Sequence, residues 1–176
     1  METNLLLFDL INFSGVNATI VSPAGCDRYD PDLEIIGITS NSNEVKAGFL
    51  FAALHGSNFN GAEFVPEAVA RGAVAILIDG TSEILLKPIT VHAISTDSPR
   101  RLFALMSAKF YRNQPDFIAA VTGTNGKTSV VEFSRQLWAM NGVRSASLGT
   151  LGVVADNLKL RSELTSPDPV SLHANL

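Results

Sequence analysis

The segment Thr122–Ser129, which reads Thr-Gly-Thr-Asn-Gly-Lys-Thr-Ser, constrains the fold and chemistry of this chain more than any other stretch. It follows the apolar run Phe117–Val121 and precedes a helical pattern that begins near Ser129. A strand, a tight glycine-containing turn and a helix start, in this order, form a cradle for phosphate, because the amides of the turn and the helix N-terminus carry partial positive charge. The segment therefore predicts that the chain binds a nucleotide phosphate.

The motif Gly-x-x-Gly-Lys-Thr is a compact variant of the usual phosphate loop, since Val121 stands where the longer motif has its first glycine. Lys127 adds a full positive charge, and the hydroxyl of Thr128 can ligate a phosphate-bound Mg²⁺. The residues predicted to bind ATP are Gly123, Thr124, Asn125, Gly126, Lys127, Thr128 and Ser129. We predict Lys127 as the catalytic residue and Thr128 as the metal ligand. The alternative is a surface turn with an incidental lysine.

Composition indicates a globular protein and excludes several classes of function. The 176 residues suffice for one ordinary domain or two small ones, and 46% of them are hydrophobic, enough for a packed core. The net charge of −4 disfavours nucleic acid as a partner, and the single cysteine, Cys26, excludes an internal disulfide. There is no basic signal-peptide region and no run of about 18 apolar residues, so we expect a cytoplasmic protein without a membrane span.

The N-terminal part of the chain alternates strand and helix patterns. Strands are predicted at Ile35–Thr39, Gly48–Leu54, Ala73–Ile78 and Ile89–Ser95. A helix is predicted over 62–71, closed by Gly72, and a short amphipathic helix over 4–13, while 15–33 has the composition of a loop. Strand, helix and strand in succession indicate a parallel sheet covered by helices.

A domain boundary is predicted near residue 114. Ser98 as N-cap and Pro99 at the first helical position start a helix that stops around Asn113–Pro115. Beyond it, the run at Phe117, a helix over 128–140 and a strand over 143–148 would form a βαβ unit around the phosphate turn.

Two further signals lie downstream of that unit. Asp156-Asn157 is typical of a hairpin turn, and Asp168-Pro169 starts another helix. One βαβ unit is smaller than an ordinary domain, so we expect the chain to be the front part of a longer protein.

Several ordered segments resemble those of the Mur ligase family, and within it the UDP-N-acetylmuramoyl-tripeptide synthetases. The resembling segments are Asn41–Leu54, Gly56–Gly61, Thr122–Ser129, Ser147–Gly152 and Leu164–Asp168. The resemblance implies an α/β fold: a uridine-binding domain followed by the first βαβ part of a phosphate-loop central domain. It assigns 1–95 to a UDP-sugar-binding domain, 96–115 to a connecting helix and 116–176 to a truncated ATP-binding domain.

The resemblance also implies roles for residues outside the phosphate loop. Ser42 matches a serine that contacts the UDP-sugar, and Ser57, Asn58 and Phe59 match the stretch that lines the uracil. Thr165 and Ser166 match a threonine pair that holds the muramoyl-peptide substrate. The family usually has Asp-Ser-Arg where this chain has Asn-Ser-Asn at 41–43, so a guanidinium that can pair with diphosphate is missing from that motif.

The implied function is ATP-dependent amide-bond formation in peptidoglycan precursor synthesis, with Mg²⁺ as cofactor and ATP as co-substrate. The implied partners are a UDP-N-acetylmuramoyl-dipeptide and an amino acid. The Leu-Gly-Thr-Leu-Gly segment resembles enzymes that add meso-diaminopimelate more than those that add lysine. We expect this chain to be an inactive N-terminal portion of the ligase.

Two alternatives stay open at this point. One is a non-catalytic module that binds UDP-sugar or nucleotide and docks a partner chain. The other is a folylpolyglutamate synthetase, which shares the Thr-Gly-Thr-Asn-Gly-Lys loop but typically has Gly-Ser after the lysine, where this chain has Thr128-Ser129.

Overall fold

The computed structural model describes residues 5–23, 30, 32–56, 59–81, 90–112, 114–160 and 167–176. The chain divides into two compact units, a first unit, Met1–Arg112, and a second unit, Asn113–Leu176. Cys26, Ser57, Asn58, Thr165 and Ser166 lie outside the described residues.

The first unit is an α/β unit built on a five-stranded sheet. Its elements are β1 (Leu5–Leu6), α1 (Leu7–Phe13), β2 (Thr19–Val21), β3 (Glu34–Ile35), β4 (Gly37–Thr39), β5 (Phe49–Ala52), α2 (Val65–Ala70), β6 (Ala73–Asp79), β7 (His92–Thr96) and α3 (Pro99–Tyr111). Strands run in the order β2-β7-β6-β5-β4, with β4 to β7 parallel and β2 antiparallel at the edge. The short strands β1 and β3 form a separate antiparallel pair.

The core of the first unit lies on both faces of β6. Ile76 and Ile78 pack with Val65 and Ala68 of α2 in one buried cluster. Leu77 points to the opposite face, because side chains alternate along a strand, and it is also fully buried. Helix α3 packs against β6 and β7 as well. Such burial on both faces explains why the strand reads as a continuous apolar run rather than an alternating one.

The predicted parallel sheet is confirmed, with one difference at its edge and one at the start of the helix that follows β7. Strand β2 lies inside 15–33, so the prediction of a loop there was wrong. Its three residues are extended because they pair with β7, and local composition does not reveal such pairing. Ser98 does precede α3, but within the described residues its side chain makes no capping hydrogen bond. Its amide instead donates to the hydroxyl of Thr96, at 3.3 Å.

The second unit combines two helices with an antiparallel sheet. Its elements are α4 (Lys127–Met140), β8 (Ala146–Gly149), β9 (Gly152–Ala155), β10 (Leu158–Leu160) and α5 (Pro169–Ala174). The sheet is a meander in the order β8-β9-β10. The predicted hairpin turn at Asp156-Asn157 joins β9 to β10, and Asp168 caps α5 by accepting from the amides of Val170 and Ser171.

The C-terminus of α4 explains where the following strand begins. Gly142 adopts φ 78°, its amide donates to the carbonyl of Ala139, and the amide of Val143 donates to that of Trp138. This is a Schellman motif, which satisfies carbonyls of the last helical turn. Because Val143 is engaged in the cap, the strand predicted over 143–148 starts at Ala146 instead.

The run Phe117–Val121, predicted as the first strand of a βαβ unit, pairs with no strand among the described residues. A parallel strand needs a neighbour with free backbone groups, and the described strands of this unit pair only with one another in an antiparallel meander. Phe117 is 69% exposed and packs against Trp138 in a T-shaped arrangement, with ring centroids 5.7 Å apart. The α/β class is confirmed, and the only difference here is that the described residues include no strand at Phe117–Val121.

Among the described residues, every helix is too short or too polar to cross a bilayer.

Burial on both faces makes β6 the most sensitive part of the first unit. We expect Leu77→Ala to lower the free energy of unfolding by about 2–5 kcal/mol, through lost apolar burial and the cavity left behind. Phe8→Ala is the matched control, since Phe8 is half exposed. Denaturant unfolding followed by circular dichroism measures both variants. Equal losses in the two would contradict this account of the core.

Candidate nucleotide and substrate sites

The phosphate loop leads directly into α4. Gly126 is the N-cap residue and adopts φ 78°, a left-handed conformation that glycine tolerates best. The amide of Val130 donates to the carbonyl of Gly126 at 2.9 Å, which is the first hydrogen bond of the helix. The amides of Lys127, Thr128 and Ser129 come before Val130 in the chain. Amides at the start of a helix lack intrahelical acceptors, and here they lie on exposed residues. The helix start can therefore bind an anion.

The ammonium group of Lys127 lies against the backbone of this loop. Its Nζ donates to the carbonyl of Gly123 and, at 3.2 Å, to that of Thr124. The ammonium is thus fixed beside the backbone that would surround a phosphate. This position adds a full charge to the partial charge of the helix N-terminus.

Thr128 contacts a residue to which the sequence analysis gave no role. Its Oγ1 lies 3.0 Å from Oγ1 of Thr150, in the turn between β8 and β9. Two hydroxyl groups therefore meet at the first turn of α4, where the metal ligand is predicted.

Glu132 ties α4 to the sheet of the second unit. Its carboxylate accepts hydrogen bonds from the guanidinium of Arg135 at 2.6 Å, from Gln136 at 3.0 Å and from the hydroxyl of Ser147 on β8 at 3.1 Å. These donors, Arg135 first, lower the pKa of Glu132 from 4.5 to about 2. Arg135 also lies 3.8 Å from Asp156 in the next turn.

In the first unit, Ser42 is buried at the start of a 3₁₀ turn that follows β4. Its hydroxyl lies 3.4 Å from a carboxylate oxygen of Glu67 on α2. The side chain of Asn41 caps the turn by accepting from the amide of Asn43, at 3.1 Å. The turn is therefore held by its capping residue, Asn41, and by the contact of Ser42 with α2.

Arg71, which ends α2, reaches the same turn. Its guanidinium donates to the backbone carbonyl of Asn43 at 3.1 Å and to the side-chain oxygen of Asn43 at 3.2 Å. It also forms an ion pair with Glu67 at 2.8 Å. A guanidinium is thus present beside position 43 although the sequence there carries asparagine. Phe59, the described residue of the predicted uracil stretch, is 69% exposed and packs edge-on against Phe64.

A depression of about 330 Å³ lies at the carboxyl edge of the parallel sheet in the same unit. Its lining residues are His55, Asp79, Asp97, Ser98, Pro99, Arg100 and Arg101. Hydrogen bonds from the amide and hydroxyl of Thr81 lower the pKa of Asp79. This is the edge at which parallel α/β sheets commonly bind ligands.

Family models match both units of the chain. The model described as "Mur ligase family, catalytic domain" matches residues 34–122, and that described as "Mur ligase middle domain" matches residues 121–176. The chain belongs to the Mur ligase family.

Curated relatives of this Mur ligase chain carry a more specific name. It is 46% identical over 142 residues to a UDP-N-acetylmuramoyl-L-alanyl-D-glutamate–2,6-diaminopimelate ligase of Brucella melitensis biotype 1, and 49% identical over 140 residues to that of a Chelativorans species. These alignments cover 81% and 79% of the chain but only 29% and 28% of the relatives. The chain therefore spans less than a third of the length of the relatives it matches.

Solved structures agree at the level of the fold. A structure titled as the same 2,6-diaminopimelate ligase matches 89% of this chain and 33% of its own, with a TM-score of 0.70 and 24% identity. A UDP-N-acetylmuramoylalanyl-D-glutamyl-2,6-diaminopimelate–D-alanyl-D-alanyl ligase of Acinetobacter baumannii matches 78% of this chain and 28% of its own, with a TM-score of 0.52 and 22% identity. At these identities the likeness shows the Mur ligase fold alone.

The described residues of this Mur ligase chain fit a magnesium nucleotide. Gly126 leaves open space where a side chain would begin, so a phosphate can approach the backbone there. The described residues contain no group of three or more His, Cys, Asp or Glu side chains placed to hold a metal. Mg²⁺ at nucleotide sites keeps several waters and is held by few protein groups together with phosphate oxygens. The exposed Thr128 hydroxyl suits such a site.

Three residues of this Mur ligase chain were missed by the sequence analysis: Thr150, Glu132 and Arg71. Thr150 lies within a segment that resembles the family, but its contact with Thr128 spans 22 positions and depends on the hairpin. Glu132 and Arg135 are three positions apart on a helix, a spacing that signals an ion pair but not its link to Ser147. Arg71 is the last residue of a predicted helix, and no local pattern indicates its contact with Asn43.

The Glu132 network generates a prediction about pH. Because the pKa of Glu132 is about 2 in the folded chain and 4.5 ordinarily, its stabilisation is complete above pH 4.5 and is lost as pH falls towards 2. We expect Glu132→Gln to cost about 1.5 kcal/mol at pH 7, the value of a hydrogen bond to a charged group, and progressively less below pH 4.5.

Asp116→Asn removes an exposed carboxylate from the same unit and serves as the control. Thermal and denaturant unfolding between pH 2.5 and pH 7 would give the free energy of unfolding of wild type, Glu132→Gln and Asp116→Asn. A difference between wild type and Glu132→Gln that does not change with pH would show that the ionised carboxylate is not the stabilising species.

Proposed function

We propose that this chain is the nucleotide- and substrate-binding portion of an ATP-dependent ligase that forms a carbon–nitrogen bond in peptidoglycan precursor synthesis. The proposed reaction joins meso-diaminopimelate to UDP-N-acetylmuramoyl-L-alanyl-D-glutamate. The names of the relatives support this substrate pair. The observation that carries the proposal is the loop at Gly123–Ser129, where exposed amides, the Lys127 ammonium and the Thr128 hydroxyl meet. A cytoplasmic location follows from the proposal and stays a prediction.

Such a ligase activates a carboxylate that is otherwise a poor electrophile. A substrate carboxylate oxygen attacks the γ-phosphorus of ATP, and the bond between that phosphorus and the β-phosphate oxygen breaks. ADP is the leaving group, and the substrate becomes an acyl phosphate. The amine of the incoming amino acid then attacks the acyl carbon, loses a proton and displaces inorganic phosphate. The protein contributes mainly positioning and neutralisation of charge.

Each part of the loop has a defined role in this scheme. Lys127 neutralises charge on the β- and γ-phosphates. The amides in the first turn of α4 bind phosphate oxygens. Thr128 would hold the Mg²⁺, which supplies further neutralisation when bound. Thr165 and Ser166 would bind the muramoyl peptide. Because the chain spans under a third of its relatives, we expect it to bind nucleotide without completing the ligation.

In the first unit, the turn at Ser42 would receive the uridine diphosphate moiety. Ser57, Asn58 and Phe59 would line the uracil, and Phe59 offers an exposed ring for stacking. Arg71 supplies the guanidinium that the turn itself lacks, since it already donates to Asn43. Guanidinium groups match phosphate oxygens with paired N–H donors.

Nucleotide binding tests the proposal directly. Calorimetric titration of the 176-residue chain with Mg-ATP should show saturable binding, and Lys127→Ala should weaken it roughly 10- to 100-fold, because charge-assisted hydrogen bonds are lost. Lys159→Ala removes an exposed lysine from β10 of the same unit and should leave binding within about twofold. Absence of heat with wild-type protein, or equal losses in both variants, would refute the phosphate-site assignment.

The Arg71 role has its own test. We expect Arg71→Ala to weaken the binding of UDP about 10-fold, while Arg112→Ala, a substitution at an exposed arginine that follows α3, leaves it unchanged. Titration of the same chain with UDP measures both. Unchanged UDP affinity in Arg71→Ala would mean that this guanidinium only ties α2 to the turn.

A second candidate function, a non-catalytic nucleotide-binding module that docks a partner chain, is favoured by one observation. Helix α4 exposes large apolar side chains, among them Phe133 at 63%, Leu137 at 58% and Met140 at 83%. Exposed apolar surface of this kind marks an interaction face. Light scattering over a concentration series separates the two candidates: a clean monomer that binds Mg-ATP counts against the docking module.

A further inference from the structure

Thr150 lies outside the phosphate loop, and its side chain contacts the predicted metal ligand, Thr128. It lies in the two-residue turn that joins β8 to β9, where Gly149 and Gly152 are register partners. Its Oγ1 is 3.0 Å from Oγ1 of Thr128, within the range of a hydrogen bond, and either hydroxyl can be the donor. Both residues are exposed and belong to the second unit.

The direction of that hydrogen bond matters for a metal ligand. A threonine hydroxyl has one proton and two lone pairs. A hydroxyl that ligates a cation directs a lone pair towards the metal, so its proton needs an acceptor elsewhere. Outer-shell partners commonly orient metal ligands in this way and tune their affinity. Oγ1 of Thr150 is an acceptor at the required distance.

We propose that Thr150 is a positioning residue for the magnesium nucleotide: it accepts the proton of the Thr128 hydroxyl and so keeps a Thr128 lone pair available to Mg²⁺. This inference rests on the proposed function, since it requires that Thr128 serve a nucleotide-bound cation. It adds a residue from a different element, the β8–β9 turn, to a site otherwise built from the loop and the start of α4.

The hairpin is held in place by contacts other than the threonine pair. The hydroxyl of Ser147 on β8 donates to Glu132 at 3.1 Å, and that of Ser145, just before β8, donates to the carbonyl of Arg135 at 2.9 Å. Helix α4 also packs along β8. Removing the Thr150 hydroxyl should therefore leave the turn beside α4, so that the loss reports on the hydroxyl and not on the fold.

Magnesium dependence distinguishes a positioning role from a structural one. The chain is titrated with ATP in the presence of Mg²⁺ and, separately, in the presence of EDTA. We expect Thr150→Val, which keeps the shape but removes the acceptor, to weaken Mg-ATP binding roughly 10-fold, the lower end of what outer-shell partners contribute. Binding of metal-free ATP should change less than twofold, and Thr150→Ser should restore Mg-ATP binding to within about twofold of wild type.

A double-mutant cycle isolates the pair. In a Thr128→Val background, Thr150→Val should cause no further loss of Mg-ATP affinity, because the hydroxyl that it serves is gone. Circular dichroism confirms that each variant is folded, and Thr150→Ala replaces Thr150→Val if the β-branched apolar side chain disturbs the turn.

Each outcome decides the question. Equal weakening of Mg-ATP and metal-free ATP, unchanged Mg-ATP affinity in Thr150→Val, or additive losses in the cycle would overturn the role of Thr150 while leaving ATP binding by the loop intact. If the wild-type chain binds neither form of ATP, the proposed function itself fails, and the inference fails with it.

Discussion

The Glu132 carboxylate anchors the second unit, and the predicted nucleotide site depends on it. By accepting from Arg135 within α4 and from Ser147 on β8, it fixes the helix against the hairpin. The same helix begins with Lys127 and Thr128, and the same hairpin carries Thr150 in its turn. The distance between the two threonine hydroxyls is therefore set by a charged network one to two helical turns away. An ionised carboxylate with several donors is well suited to this, because it is satisfied only when all of its partners are in place.

The first unit also contains an ion pair that links a helix to a turn, but this pair is more exposed to solvent. Its sheet is held by apolar burial on both faces of β6, which leaves the loops at the carboxyl ends of the strands available for ligands. One of these loops, the turn at Ser42, is bound to α2 through Glu67 and Arg71. The ion pair of Glu67 and Arg71 is about 40% exposed on each side, so solvent screens it and its contribution to stability is small. Its importance lies in where it places a guanidinium.

Periodicity and turn chemistry in the sequence were sufficient to predict the parallel sheet, the helices α3 and α4 and the Asp156-Asn157 hairpin. These elements rest on strong local signals, namely long apolar runs and Pro99 at a helix start. The phosphate loop was likewise visible because its residues are contiguous. Strand β2 and the failure of Phe117–Val121 to pair were not predictable, since pairing depends on which backbone edge lies nearby. Arg71 and Thr150 were missed for a related reason: each acts through a contact between elements distant in the chain.

The hydrogen bonds of Lys127 have a consequence for the rate and strength of ligand capture. Two carbonyls of the loop accept hydrogen bonds from the ammonium, and these contacts restrict the rotation of the long, flexible lysine side chain. In the proposed site, a phosphate would meet a cation that is already in position, rather than a mobile group in solvent. Preorganisation of this kind lowers the entropic penalty of association.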